Sequence, residues 1–324
     1  IITLSAAPPV RMFGVLVAIA IVGAFVGALT VLPALLKILG DRAARRAAER
    51  VPKSAVSSVA PLMMVVLAVG LLLVDEVRAE SASSGEQIMR TVAGRAEGQS
   101  ADRVAHIELI DKNGGVRLQI ARAVRKNFDE GRRMAVFYQA PANIRGTSFL
   151  VYDYADESKQ SDQWLYLPAL RKVRRVPAAD RGDYILGTDL TYDEIRNDNR
   201  VTLEDWRFVG LSTADLDGVA CVIVDADASS DQVARELGYG RARWWVDPHV
   251  QMARRIEYWD RSGARLKTVD NLDVANVDGV WMARQVEAIN HKTGHRTRIR
   301  FDSARFNVEL PDGLFTQQQM ERGP

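Results

Sequence analysis

The residues of this 324-residue chain that could do chemistry are few: four histidines, one cysteine and a scattering of acidic pairs. His291-Lys-Thr-Gly-His295 has a spacing that would put two imidazoles on one helix face. Gly294 and the strand-like flanks make it a hairpin turn instead, and no metal site is expected there. Asp189 with Asp193 and Glu194, or Asp270 with Asp273, could do acid–base work. A comparable number of arginines makes ion pairs the simpler reading. Cys221 sits in Val219-Ala-Cys-Val-Ile-Val224 and reads as a small buried hydrophobe. The chain has no Gly-x-Ser-x-Gly elbow, phosphate-binding loop, His-Glu-x-x-His or paired cysteines. No catalytic residue, cofactor or metal is expected, and the reading is of a non-enzyme.

The aromatic residues carry more information. All six Trp and all eight Tyr lie at or beyond Tyr138. On an extended strand Trp164 and Tyr166 face one side and Leu165 and Leu167 the other. Phe149 and Val151 oppose Leu150 and Tyr152 in the same way, and Met134, Val136 and Tyr138 oppose Ala135 and Phe137. A sheet with one wet face alternates apolar with charged residues. Strands apolar on both sides therefore need cover on both: helices, a second sheet, the partner wall of a barrel core, or a bound apolar ligand.

These strands belong to the second part of a chain divided by charge. Overall, 47% of residues are apolar, 26% are charged, and the net charge is +2. The 25 residues between Arg11 and Lys37 and the 21 between Lys53 and Asp75 carry no charge. Each run is long enough for a helix to cross a hydrocarbon core of about 30 Å. The first expected span, 12–36 within residues 1–40, is rich in Gly and Ala, which suits close helix packing. The second, within 55–79, is either a short anchor or a signal peptide cut after Ala79. The loop 41–54 between them concentrates Arg42, Arg45, Arg46, Arg50 and Lys53 against Asp41 and Glu49. That excess marks the cytoplasmic side and places everything beyond residue 75 across the membrane. It lies in a short loop rather than on a folded domain, so a nucleic-acid partner is not expected. The chain also opens on Ile1 directly before an apolar run, and a natural start further upstream is expected.

Residues 80–100 read as a linker running into a short helix, with Ser83 and Glu86 as a capping box. From 101 to 324 the period becomes two. Residues 105–109 and 116–120 flank an Asn113-Gly114 pair that favours a type I′ hairpin. Eleven further strands are expected, at 133–139, 146–153, 163–167, 171–176, 202–210, 219–225, 241–246, 252–259, 265–274, 280–289 and 296–306. Helices are expected only at 231–237 and 311–320 besides the first. The class is mainly β, with α+β character from the few covering helices.

Several motifs then occur in order. They are Pro141-Ala-Asn-Ile-Arg-Gly146-Thr, Asp162 through Val176, Asp180-Arg-Gly182, Gly187-Thr-Asp-Leu-Thr-Tyr-Asp-Glu-Ile195 and Leu310-Pro-Asp-Gly-Leu-Phe315. Over roughly 85–320 the chain resembles the outer-membrane lipoprotein-sorting (LolA-like) family. The resemblance implies an unclosed antiparallel β-barrel whose concave side, capped by helices, holds acyl chains. Residues 8–14 and 30–36 resemble the last transmembrane helix of an RND-superfamily (MMPL-like) exporter. A periplasmic carrier or acceptor for lipid or lipoprotein acyl chains, acting with an RND-type exporter at the inner membrane, is the expectation. A LolA-like envelope sensor that docks a protein partner is the alternative. The candidate lipid contacts are Trp164, Tyr166, Phe149, Val151, Val136, Tyr138, Trp206 and Trp245. Arg171, Lys172, Arg174 and Arg175 either meet head groups or form an ion-pair network with Asp180, Asp183, Asp189 and Glu194.

Overall fold

The computed structural model describes residues 84–156, 159–198 and 200–323. Both expected membrane spans lie outside them, and no helix among the described residues is long and apolar enough to cross a membrane. Thirteen antiparallel strands form one sheet: β1 (Ser100–Ile110), β2 (Val116–Phe128), β3 (Gly131–Ala140), β4 (Ser148–Tyr154), β5 (Asp162–Leu167), β6 (Lys172–Arg175), β7 (Trp206–Leu216), β8 (Val219–Ala228), β9 (Arg241–Asp247), β10 (Met252–Trp259), β11 (Arg265–Val277), β12 (Val280–Asn290) and β13 (Arg296–Phe306). Their spatial order is β6-β5-β4-β3-β2-β1-β13-β12-β11-β10-β9-β8-β7. The sheet is thus two meanders joined where β1 pairs with β13, and its edges, β6 and β7, are neighbours in sequence. The segment joining them, residues 176–205, must travel from one edge to the other.

Short turns set the register. Asp217-Gly218 and Asp278-Gly279 each have two positive φ values, and the strands on either side pair directly, Leu216 with Val219 and Val277 with Val280. These are the type I′ hairpins. The expected one at Asn113-Gly114 is not formed. Asn113 is absent from the left-handed region, and Ile110 pairs with Val116 across a five-residue connection. There the Asp111 carboxylate accepts from the backbone N–H of Asn113 and Gly115, so a side-chain-organised turn wins over the dipeptide preference.

Curvature follows from what the inner face touches. Tyr138 on β3 and Trp206 on β7 border one hollow although nine strand positions separate them. On a flat sheet that would be about 43 Å at ~4.8 Å per strand. The sheet therefore wraps round as an unclosed barrel, as expected. Its inner cluster includes Ile107, Met134, Phe149, Val224, Trp244 and Ile299, with Met89 and Val92 of α1 (84–93) packed in.

The two-sided strands β3–β5 are covered on both faces by the protein itself. Their outer side chains, among them Ala135, Phe137, Leu150, Trp164 and Tyr166, pack against Leu310, Phe315 and Met320. This C-terminal cover is a 3-10 turn, Asp312–Phe315, followed by a short helix, here α4 (Gln317–Arg322), where one helix over 311–320 was expected. Ser148 Oγ donates to the Met320 carbonyl (2.9 Å) and Tyr152 to the Phe315 carbonyl (2.5 Å). The outer face beyond β2 is wet, laced by cross-strand pairs such as Arg122–Asp102–Arg305 and Glu108–Arg298–Glu287. Such pairs add little stability each but penalise a slipped register.

Phe315 is fully buried and meets the Phe128 ring edge-on at 5.6 Å. Phe315→Ala is predicted to lower unfolding free energy by about 3–5 kcal/mol, read as a reduced denaturation midpoint in urea with the hollow on the other face unaffected.

Candidate functional site

On its inner side the sheet encloses a hollow of about 140 Å³. It exists because the wall is thin there. Ala105 on β1 faces Ala121 on β2 as a direct cross-strand pair, and Ala123 follows on the same face. Leu or Ile at these positions would fill the space. Met134, Val136, Tyr138, Trp244 and Val286 continue the apolar lining.

The segment 176–205 roofs this hollow. It drives Ile185 and Leu190 into the inner cluster and forms α2 (Tyr192–Asn197). This helix was not expected, although Thr191-x-x-Glu194 is a capping box in which both hydrogen bonds are formed. At Gly182 the roof passes so close to α3 (Asp231–Leu237) that a Cβ would lie 2.6 Å from the Leu237 backbone. Any side chain there would lift the segment.

Charged groups pin the roof to the sheet. Lys267 of β11 is fully buried and donates to Glu194 Oε2 (2.7 Å), the Asp189 carbonyl (3.0 Å) and the Tyr239 hydroxyl (2.6 Å). Its Nζ also lies 5.0–5.4 Å from the ring centroids of Tyr184, Tyr239 and Tyr258. Burial lowers the Lys267 pKa and Glu194 works against that. Arg181 forms a bidentate pair with Asp205 (2.8 Å for both bonds), Arg103 one with Asp198 (2.9 and 2.6 Å), and Arg196 reaches Asp153 on β4 (3.1 Å). The acidic residues considered for acid–base work are spent here: Asp189 holds His295 (2.6 Å) and Thr297, and Glu194 holds Lys267. Asp270 pairs with Arg255 and Asp273 with Arg284. Residues 291–295 form the turn between β12 and β13. Cys221 is buried, and burial raises its thiol pKa.

Of the expected contact residues, Val136, Tyr138 and Trp206 border the hollow. Phe149 and Val151 lie in the inner cluster, where the Phe149 ring meets Tyr192 of the roof at 5.4 Å. Trp164 and Tyr166 are corrected: they face the opposite side of the sheet, under the C-terminal cover. Trp245 is displaced by one residue, since Trp244 lines the hollow and meets Trp206 edge-on at 5.0 Å. The sequence held that signal, because Arg241 and Arg243 share Trp245's face while Ala242 and Val246 share Trp244's. Arg171, Lys172, Arg174 and Arg175 are exposed at the β6 end of the sheet, and none lines the hollow. Arg175 pairs with Asp162, whereas Asp189 and Glu194 pair elsewhere, so the expected network with those two acids does not form. The basic residues at the hollow are instead Arg103 and Arg200, which the sequence reading passed over, and they stand beside Asp193, Glu194 and Asp198.

A family model described as that of an uncharacterized protein matches residues 130–322, more than half of the chain. The chain belongs to this family. A comparison with curated proteins finds no match. Among solved structures it is similar to an outer membrane lipoprotein-sorting protein domain from Vibrio parahaemolyticus (23% identity, 74% of this chain, 100% of that one, TM-score 0.66). It is similar also to a DUF1329 family protein from Desulfovibrio piger (21% identity, 74% and 99%, TM-score 0.67). A LolA superfamily protein from Nitrosomonas europaea matches at 17% identity over 74% and 98%, with a TM-score of 0.55. The described residues of this chain thus share the LolA-like fold of these structures, an unclosed antiparallel sheet around an inner hollow.

Two predictions test the pinned roof. Lys267→Met leaves the half-buried Glu194 without its cation, a loss that reaches about 3–5 kcal/mol only for a fully buried pair; hydrogen exchange at residues 184–197 should accelerate more than in β1 or β13. Burial alone would raise the Asp198 carboxyl, but Arg103, Arg125 and Arg132 outweigh it and hold the pKa well below 3.8. A depressed carboxylate stabilises the folded state above its unfolded pKa and loses that contribution as pH falls through the folded one. Stability should therefore decline as pH drops below about 4, and Asp198→Asn should flatten that decline in urea titrations.

Proposed function

We propose that the domain is a non-enzymatic carrier or acceptor that shields the acyl chain of a lipid or lipoprotein in its inner hollow. The observation that carries this is the alanine-thinned apolar wall beneath a roof held by buried ion pairs. Such a site suits an apolar guest and offers a catalyst nothing, since its titratable groups are tied to one another. A hollow of about 140 Å³, close to the ~150 Å³ of a cavity that holds benzene, takes a few methylenes of such a chain, each supplying ~0.8 kcal/mol on burial. Neither a cofactor nor a metal is needed. The description of the Vibrio structure as a lipoprotein-sorting domain supports the reading. We place the domain in the periplasm, anchored to the inner membrane or released after Ala79, from the charge pattern of residues 1–79. Partnership with an RND-type exporter rests on the resemblance of residues 8–36.

Mass spectrometry of the purified full chain should find a co-purifying lipid, and the double variant Ala105→Leu with Ala121→Leu should remove it while leaving the circular-dichroism spectrum unchanged. A lipid-free wild-type chain that retains one envelope protein in equal amount would instead favour the docking-module alternative.

A further inference from the structure

Four guanidinium groups converge on a single carboxylate beside the hollow. Glu97 lies 3.4 Å from Arg95, 3.2 Å from Arg132, 3.9 Å from Arg200 and 4.0 Å from Arg125. Arg132 has a second carboxylate in Asp153 (2.7 Å). The acids that border the hollow nearby are already committed, Asp198 to Arg103 and Asp193 to Arg196 and Arg181. Positive charge is thus in excess around Glu97. Arg125 is 1% exposed, its terminal nitrogens reach only the carbonyls of Glu97 and Gly98 and the edge of the Glu97 carboxylate, and its Nε has no partner among the described residues. Burial pushes the Arg125 pKa down to about 10, and burial followed by the neighbouring Arg132 lowers that of Arg200.

Withdrawing guanidinium groups from water without matching anions is costly. A phosphoryl group answers that cost well, because its oxygens accept paired N–H bonds from arginine. Arg200 is the member placed to offer them: it lines the hollow, its Nε is anchored on the Ala93 carbonyl (2.9 Å), and its side chain is 37% exposed. We propose that the hollow takes a phosphate-bearing amphiphile, the chain inside and the phosphoryl head group on Arg200 beside the Glu97 arginine cluster. This rests on the acyl-chain reading of the hollow and specifies its guest.

The test uses the full chain in amphipol, free of detergent, with intrinsic tryptophan fluorescence as readout, Trp206 and Trp244 being the two of the six at the hollow, and three probes: dodecyl phosphate, dodecanol and inorganic phosphate. Dodecyl phosphate should bind at least tenfold more tightly than dodecanol. In Arg200→Gln that preference should fall to within about twofold, with dodecanol binding unchanged. Equal binding of the two amphiphiles by the wild-type chain overturns the head-group site while leaving the hollow as a chain site. Inorganic phosphate binding as tightly as dodecyl phosphate overturns it too, in favour of a free-anion site. Binding of neither amphiphile brings down the acyl-chain reading itself. The wild-type comparison decides the matter even if Arg200→Gln does not fold.

Discussion

The structure depends on one constraint: a sheet whose two edges are consecutive in sequence and do not pair. The link between β6 and β7 has to cross the open inner side, and in crossing it becomes the roof of the hollow. From this follow the need for buried polar anchors, since a roof touching the sheet only through apolar contacts could slide. Lys267, Arg103 and Arg196 each join roof to wall through bonds with defined direction, while Arg181 braces the roof internally on Asp205. Buried ion pairs are a poor source of net stability, but their directional bonds favour one geometry over its neighbours. Here they fix where the roof sits and so how much room remains beneath it.

That room is a departure from ordinary core packing. Protein interiors are filled to the density of organic crystals, and unfilled space forfeits contacts. The Ala105–Ala121 pair and Ala123 give up those contacts at the centre of the sheet, where larger aliphatic residues would pack well. The outer face of β3–β5 shows what the same strands do when no space is kept: Phe137, Leu150 and Trp164 are closed over by the C-terminal turn and helix with large side chains.

Much of this was legible in the sequence because strands announce themselves by alternation. The bounds of β10 and β13 agree with their expected ranges, and α3 does as well. Alternation shows which residues share a face but not which face is inner. For β5 both faces are apolar, so nothing local could decide that Trp164 lies outside; the decision comes from Phe315 and Met320, some 150 residues away. For β9 the arginines beside Trp245 did carry the answer. The α2 helix was missed because its six residues show almost no apolar period, although its capping box was present. The Glu97 cluster was invisible for a different reason: its members come from four separate segments and meet only in the fold.

The pairing of β1 with β13 carries a kinetic meaning. Each meander is built from hairpins and can form from contacts close in sequence, but this seam joins segments nearly the whole domain apart, Ala101 beside Phe306 and Leu109 beside Thr297. Closing so long a loop is entropically slow. Two half-sheets with unsatisfied central edges should therefore persist until the last strand arrives, a stage at which the nascent protein is open to pairing with strands that are not its own.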